Sequence, residues 1–403
     1  MLFLYRVLMK ILEVVLLNLG RFNNKLNLRN QGLKTQSVQE LDRCIWIHAA
    51  SLGEFEQGKP VLDLIKAKYP NIPLVLTFFS SSGYEKRKNY ELADAVYYLP
   101  YDTGRAMTSF IEKIQPLAVI FIKYEFWFNA LSILKQKQID YYFISTVFRP
   151  NQYFFKSWGR PFLSLVAGAE KLFVQNRSSA LLLAEKGIEN VMVTGDTRID
   201  RVLELVDQAF DHREIAAFTR GHFTVIAGST WPGDEEVLLE AIDHFPDWKW
   251  ILAPHEISPT AIQVLSKRLG SRMQLLSQID VEEEFQVLIV DSVGLLSRIY
   301  RYGDLAYIGG GFGAGIHNTL EPLVYRLPVL FGPKYSKFPE AIAIVEGEMG
   351  RSITSAETLI NGLTHFAREE TLLGVKAKIS EYIDENSGAS KKILAEISKK
   401  IIN

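Results

Sequence analysis

The chain has 403 residues, 48% hydrophobic, 23% charged and 12% aromatic. That length suits two domains of roughly 150–200 residues, and the composition excludes a disordered chain, a fibrous repeat and a polytopic membrane protein. The 45 basic and 46 acidic residues leave a net charge of −1, so there is no basic excess to draw a nucleic-acid partner.

Charge is unevenly spread. Residues 1–40 carry Arg6, Lys10, Arg21, Lys25, Arg29 and Lys34 against Glu13 and Glu40, a surplus of four. Within the apolar run 2–19, Arg6, Lys10 and Glu13 fall at i, i+4 and i+7, one stripe of a helix. A spanning helix needs about 20 apolar residues with few charges. The pattern instead predicts a monotopic anchor lying in a membrane interface, its basic flank toward an anionic leaflet. A helix packed on its own protein would show the same stripe. No small-residue cleavage site follows, so a removable signal peptide is not expected.

From Cys44 onward, short β-rich runs alternate with helix-period stretches. Strands are predicted at 44–50, 73–79, 95–99, 117–122, 141–145, 171–175 and 191–194, with helices at 56–69, 103–115, 125–138 and 177–187. The apolar runs are continuous rather than alternating, as in parallel strands covered on both faces. The scheme recurs with strands at 223–228, 248–253, 286–290, 305–309 and 328–331, and helices at 234–244, 258–269, 293–301, 318–326 and 337–347. Two Rossmann-like doubly wound α/β domains facing across a cleft are expected: 1–40 an anchor and basic linker, 41–205 the first domain, 206–403 the second with a helical tail from 355. Cys44, the one cysteine, excludes an internal disulfide, and its apolar setting predicts a buried, inert thiol. The seven histidines lack metal-ligand spacing, so no metal and no cofactor is expected.

In such folds ligands sit at the carboxyl ends of strands. After the first strand comes His48-Ala49-Ala50-Ser51-Leu52-Gly53-Glu54-Phe55. Glu54 opens a helix, where the dipole favours a carboxylate for structural reasons; in a cleft the same group can act as a general base. Ala227-Gly228-Ser229-Thr230, followed by an acidic helix start, reads equally as capping and as ligand contact. His255, after Pro254, stands alone and fits a surface or packing role. The turn Val293-Gly294-Leu295 precedes another helix. The run Gly309 to Gly315 holds five glycines in seven positions and leads to Asn318-Thr319-Leu320-Glu321. Its Gly309-x-Gly311-x-x-Ala314 meets a loose dinucleotide fingerprint, though late in its domain.

Together these stretches resemble the Kdo (3-deoxy-D-manno-octulosonic acid) transferases of lipopolysaccharide synthesis, inverting glycosyltransferases of the two-domain GT-B type. The likeness rests on Ala50-Ser51-Leu52-Gly53-Glu54, the Ala227–Thr230 turn, Gly315 to Pro322 and Pro328 to Pro333. The resemblance implies Glu54 as general base, with Glu125 and Arg198 supporting the transition state. It implies contacts to the CMP moiety from Pro254, His255, Val293, Gly294, Leu295, Asn318, Thr319, Leu320 and Glu321. The donor would be CMP-Kdo and the acceptor a lipid A precursor of lipid IVA type, reached from the cytoplasmic leaflet of the inner membrane without metal or cofactor. The chain departs from the family's usual pattern at Lys123, where an acid is the rule, at Arg198, where a lysine is, and at His255-Glu256, where Arg-His is. The competing readings are an NAD-dependent oxidoreductase built on the Gly309–Ala314 loop, a GT-B transferase using a UDP-sugar, and a membrane-tethered nucleotide-sugar binding module without turnover.

Overall fold

In the computed structural model, which describes residues 2–401, the chain divides into two compact units. One takes the chain up to Arg201 and again from Asn386; the other is Val202–Glu385. Each is built on a seven-stranded, fully parallel sheet.

The first sheet consists of β1 (Cys44–Ala49), β2 (Leu74–Phe78), β3 (Ala95–Tyr98), β4 (Pro116–Ile122), β5 (Asp140–Thr146), β6 (Lys171–Val174) and β7 (Val191–Val193). Its order is β3-β2-β1-β4-β5-β6-β7. The second holds β8 (Thr224–Thr230), β9 (Lys249–Pro254), β10 (Met273–Leu275), β11 (Val287–Ile289), β12 (Leu305–Ile308), β13 (Val329–Phe331) and β14 (Gly350–Ser352), in the order β10-β11-β9-β8-β12-β13-β14. Strand order reverses between β1 and β4 and again between β8 and β12. A doubly wound sheet opens its ligand crevice at such switch points, outside the carboxyl ends of the strands. The central strands are buried on both faces, β1, β2 and β12 along their whole length, which is why they read as continuous apolar runs.

Two edge strands, β10 and β14, escape the sequence reading. Met273-Gln274-Leu275 and Gly350-Arg351-Ser352 are three residues each and carry no continuous apolar run. An edge strand is paired on one side only, so its sequence is under weak apolar constraint.

The amino-terminal segment forms two helices, α1 (Leu2–Leu19) and α2 (Asn24–Thr35), with Asn23 capping α2 through bonds from the Lys25 and Leu26 amides. Met9 and Gly20 are buried and Tyr5 is half-buried, so one stripe of α1 packs on its own unit. The rest is exposed: Phe3 at 80%, Leu4 at 61%, Leu8 at 57%, Ile11 at 55% and Val14 at 58%. Among the described residues, no helix is long and apolar enough to cross a membrane. Arg29, counted with the basic flank, is not a surface cation; it is 2% exposed inside the first unit.

The carboxyl-terminal stretch is helical, at Ala356–Phe366, Glu369–Asn386 and Ala389–Ile401. Its last helix does not stay with the second unit. Ile393, Ile397 and Ile401 join the core under β1 and β2, packed with Val61, Leu62 and Ile65 of α3 (Leu52–Lys68). The three isoleucines lie at i, i+4 and i+8, an apolar stripe that this core completes. The seam also falls earlier than residue 205, at Arg201, because the helix Thr197–Asp207 is hydrogen-bonded at its start to the first unit. Cys44 is wholly buried and its thiol is pushed up to about 12 by burial, the inert state expected of it.

Candidate functional site

In the first unit the switch point brings together the ends of β1 and β4. Glu54 sits in the first turn of α3, half-buried, and accepts the Ser51 hydroxyl. Gly58, one turn on, lies so close to β4 that a Cβ there would overlap the Ile122 side chain. This close approach fixes the height of α3 over the sheet, and with it the position of Glu54.

Glu125 follows β4 and its side chain is 12% exposed. The Trp127 indole N–H donates to its Oε2 at 2.8 Å, and His48 Nε2 lies 3.1 Å from the same oxygen. His48 belongs to β1 rather than to the loop after it; it is fully buried, with Nδ1 2.9 Å from Thr77 Oγ1. An otherwise apolar strand thus carries a histidine straight to the carboxylate of its neighbour. Sequence reasoning missed this role, although a histidine in the middle of Cys44–Ala49 was a signal, since a buried polar group needs a partner.

Arg198 lies on the same side of the sheet. The Thr197 hydroxyl donates to the Gln57 carbonyl of α3 at 2.6 Å and meets Ser145 Oγ at 2.8 Å. Burial raises the Tyr124 phenol, and Arg149 and Arg198 oppose that rise, so both guanidinium groups face the tyrosine beside Glu125. The Arg198 fork is engaged by Asp196, with Nη2 to Oδ2 at 2.6 Å and Nε to Oδ2 at 2.9 Å. It is therefore a braced cation, not a bare one. Lys123 and Ser145, which end β4 and β5, hold φ values of 64° and 55°. Non-glycine residues in that left-handed region are costly and concentrate at functional sites.

The second unit builds its site from turns. Ser229, at the end of β8, also has a positive φ of 55°. Asp234 is fully buried and accepts three donors: the Tyr307 hydroxyl at 2.8 Å, the Gly310 amide at 2.8 Å and the Trp231 amide at 3.0 Å. It caps the helix Pro232–His244 and pins the glycine run to the end of β8. Of the two readings of this acidic start, capping is present in the structure, and the clasp on Gly310 adds to it.

The glycine run is used for packing more than for ligand approach. A Cβ on Gly309 would overlap the Ser229 carbonyl, and one on Gly311 would meet the Gly332 backbone at 2.6 Å. The next helix, Leu320–Val324, starts six residues beyond Ala314 and has five residues. The helix that follows therefore does not open at Gly309–Ala314, and the dinucleotide fingerprint is a match of letters without its strand–loop–helix geometry.

Three aromatic rings stand beside this run. Trp231 stacks on His255 at 4.6 Å and His255 on His317 at 4.4 Å, while the Trp231 indole donates to His317 Nε2 at 2.9 Å. An indole nitrogen only donates, so His317 Nε2 accepts and a neutral ring carries its proton on Nδ1. Burial, and next His255, push the His317 pKa down, against an opposing pull from Asp234. His255 is exposed, as expected, but it is not alone: it is the middle one of three stacked rings.

The other predicted positions gather on the same end of the sheet. The Glu321 carboxyl is raised by burial and opposed by the Asn318 amide, which donates to it at 3.0 Å. Glu321 in turn acts on the buried Tyr300 hydroxyl, and that hydroxyl fills the space over Gly228 that a side chain would take. Leu296 also touches Gly228, which brings the Val293–Leu295 turn to β8. Val293 is 89% exposed and Gly294 has a φ of 90°. The Leu320 side chain is core, and among the described residues the buried Thr319 hydroxyl has no hydrogen-bond partner; these two residues offer a ligand backbone or an enclosed hydroxyl.

Comparison with known proteins places this geometry. The profile of the 3-deoxy-D-manno-octulosonic-acid transferase (kdotransferase) family matches residues 21–201. The 3-deoxy-D-manno-octulosonic acid transferase of Chlamydia trachomatis serovar A is 29% identical over 84% of this chain and 81% of its own length. The chain is similar to this family over most of its length. The enzymes of that name from Haemophilus influenzae and Aquifex aeolicus are 27% and 26% identical, each over 87% of this chain and over 85% and 92% of their own lengths. Among solved structures, UDP-GlcNAc 2-epimerase of Neisseria meningitidis superposes with a TM-score of 0.62 at 14% identity, over 89% of this chain and 99% of its own. MurG of Acinetobacter baumannii gives 0.58 at 9% identity, over 89% and 100%. These likenesses fix the fold as the two-domain GT-B architecture. The family is one of glycosyltransferases, and this chain is an enzyme of that class.

Proposed function

We propose that the enzyme moves Kdo from CMP-Kdo to a hydroxyl of a lipid A precursor of lipid IVA type, with inversion and Glu54 as general base. The observation that carries the reading is the family match, which spans the segment holding Glu54, Glu125 and Arg198. Glu54 takes the acceptor's proton as the oxygen attacks the anomeric carbon, and the C–O bond to CMP breaks with its electron pair going to the phosphate. A carboxylate in the first turn of a helix is favoured there by the helix dipole. Glu125 and Arg198 orient and balance charge around the sugar. The turns at Pro254-His255, Val293–Leu295 and Asn318–Glu321 hold the CMP moiety, with backbone amides aimed at the developing phosphate charge.

The same reading makes α1 a monotopic anchor on the cytoplasmic leaflet of the inner membrane. Its support is the run of exposed Phe3, Leu4, Leu8, Ile11 and Val14 beside the exposed Arg6 and Lys10. Apolar groups in water on one helix face, flanked by cations, fit an anionic lipid surface.

Incubation with CMP-Kdo and a tetraacylated lipid A precursor, with product mass read directly, tests the transfer. One or more Kdo units on the precursor are expected. No product, together with thermal stabilisation by NAD(H) or a UDP-sugar and none by CMP, overturns it. Co-sedimentation with anionic vesicles tests the anchor: the full chain pellets and a chain lacking residues 1–20 does not.

A further inference from the structure

Arg29 of α2 is the least expected residue in the first unit. Its guanidinium is 2% exposed and, among the described residues, no carboxylate pairs with it. One nitrogen, Nη2, donates to the Leu99 carbonyl at 2.8 Å, while Nε and Nη1 are buried with no hydrogen-bond partner among the described residues. The group lies between two aromatic rings, with its central carbon 4.2 Å from the Phe79 centroid and 4.4 Å from that of Tyr101. Burial pulls its pKa down to about 10. A buried cation with most of its donors idle costs stability, and an apolar residue of similar length would cost less. Stability alone therefore does not explain it.

What Arg29 touches gives the explanation. Phe79, on its near side, stacks on Trp127 with centroids 4.9 Å apart and planes at 29°. Trp127 is the indole that donates to Glu125. The partner helix reaches the same loop from another direction. The Tyr5 hydroxyl of α1 donates to Asp102 at 2.6 Å, and the Asp102 carboxylate accepts the Asn129 and Ala130 amides at 2.9 Å each. Those amides begin the helix Phe128–Gln136, directly after Trp127. The Tyr5 ring also meets Phe128 edge-on at 5.4 Å.

We infer that the α1–α2 hairpin is a brace for the Glu125 loop: Arg29 is a positioning residue that holds the Trp127 indole on Glu125 through Phe79, while Tyr5 holds the other end of the loop through Asp102. The guanidinium suits the task because a planar cation binds two ring faces at once and fixes their angle. A flexible apolar chain fills the same space without fixing either ring. The brace would make the hairpin part of the active site's framework, separate from any hold on a membrane. Its consequence for turnover rests on the Kdo-transfer reading and on the role given there to Glu125.

The test combines amide exchange with kinetics on full-length chains, using precursor dispersed in detergent so that membrane attachment does not enter. In Arg29→Met, exchange over residues 123–130 speeds up about tenfold or more, while that of the second unit is unchanged. The kcat falls about tenfold, with KM for CMP-Kdo and vesicle co-sedimentation unchanged. Phe79→Leu lowers kcat by a similar factor, and the double variant loses about tenfold rather than a hundredfold, because both changes cut one connection. Arg29→Lys keeps the charge and retains an intermediate rate; it serves if the methionine variant does not fold. Unchanged exchange over 123–130 in a folded Arg29→Met or Arg29→Lys overturns the brace, as do kcat losses that multiply in the double variant. If the wild type transfers no Kdo, or Glu125→Gln turns over normally, the functional reading fails instead, and the exchange data still decide the brace.

Discussion

The two units share a sheet and a winding order, yet they prepare for chemistry differently. The first works with side chains held by other side chains: His48 and Trp127 on Glu125, Asp196 on Arg198, Ser51 on Glu54. The second works with backbone, its turns pinned by one buried carboxylate, Asp234, and screened by three stacked rings. A unit that moves a proton needs titratable groups at fixed distances. One that grips a phosphate needs amides aimed at a point, and these carry no pKa to tune. The contrast says that substitutions in the first unit should act on rate, and those in the second on donor affinity.

The largest expected effect comes from Glu54→Gln, which removes the proposed base. Turnover should fall by about 10²–10⁴, the usual contribution of a positioned base, with CMP affinity by calorimetry unchanged. Near-normal turnover would end the assignment of proton transfer to the first unit. Next is Ile397→Ala, at the centre of the returning helix's stripe. Emptying that space should cost about 2–5 kcal/mol, read as faster amide exchange in β1, β2 and α3 with the second unit unaffected. Uniform loosening of both units would mean that the tail is not the first unit's own.

A smaller loss is expected from Asp234→Asn, whose oxygen can keep the Gly310 and Trp231 amides only by turning its N–H toward the Tyr307 hydroxyl, which then loses its acceptor. Leaving such a donor unsatisfied costs about 1–3 kcal/mol. It should appear as weakened CMP binding at nearly normal kcat under saturating donor. A drop in kcat alone would break the division of labour. The smallest effect is with pH. Burial depresses His317 in the folded chain, so the unfolded chain binds the extra proton first on acidification. Stability of the second unit should fall as pH drops through the ordinary histidine range near about 6.5, and His317→Asn should flatten that slope in thermal melts between pH 7.5 and 5.5.

Much of the architecture could be read from the sequence because strand burial leaves a local mark. Leu117 to Ile122 and Val287 to Ile289 are apolar without a break, and each predicts a covered strand by itself. Candidate positions at Glu54 and at the turns could be picked out because small residues and glycine follow a strand there. It was not legible at His48 or Arg29, whose partners Glu125 and Phe79 lie 77 and 50 residues away along the chain. Nor could the pattern at Gly309–Ala314 distinguish glycines that admit a ligand from glycines that admit Ser229 and Gly332.

Periodicity and turn chemistry by themselves settled that the chain makes two parallel α/β units, with candidate groups at strand ends, because those signals depend only on neighbours within a few residues. Which strand ends lie side by side, that a histidine of β1 meets an acid after β4, that the last helix returns to the first core, and that a basic residue of the amino-terminal hairpin ends up between aromatic rings were decided by the folded arrangement. Pairings across a sheet follow from strand order, and strand order is chosen by how whole layers pack, which no short stretch of sequence records.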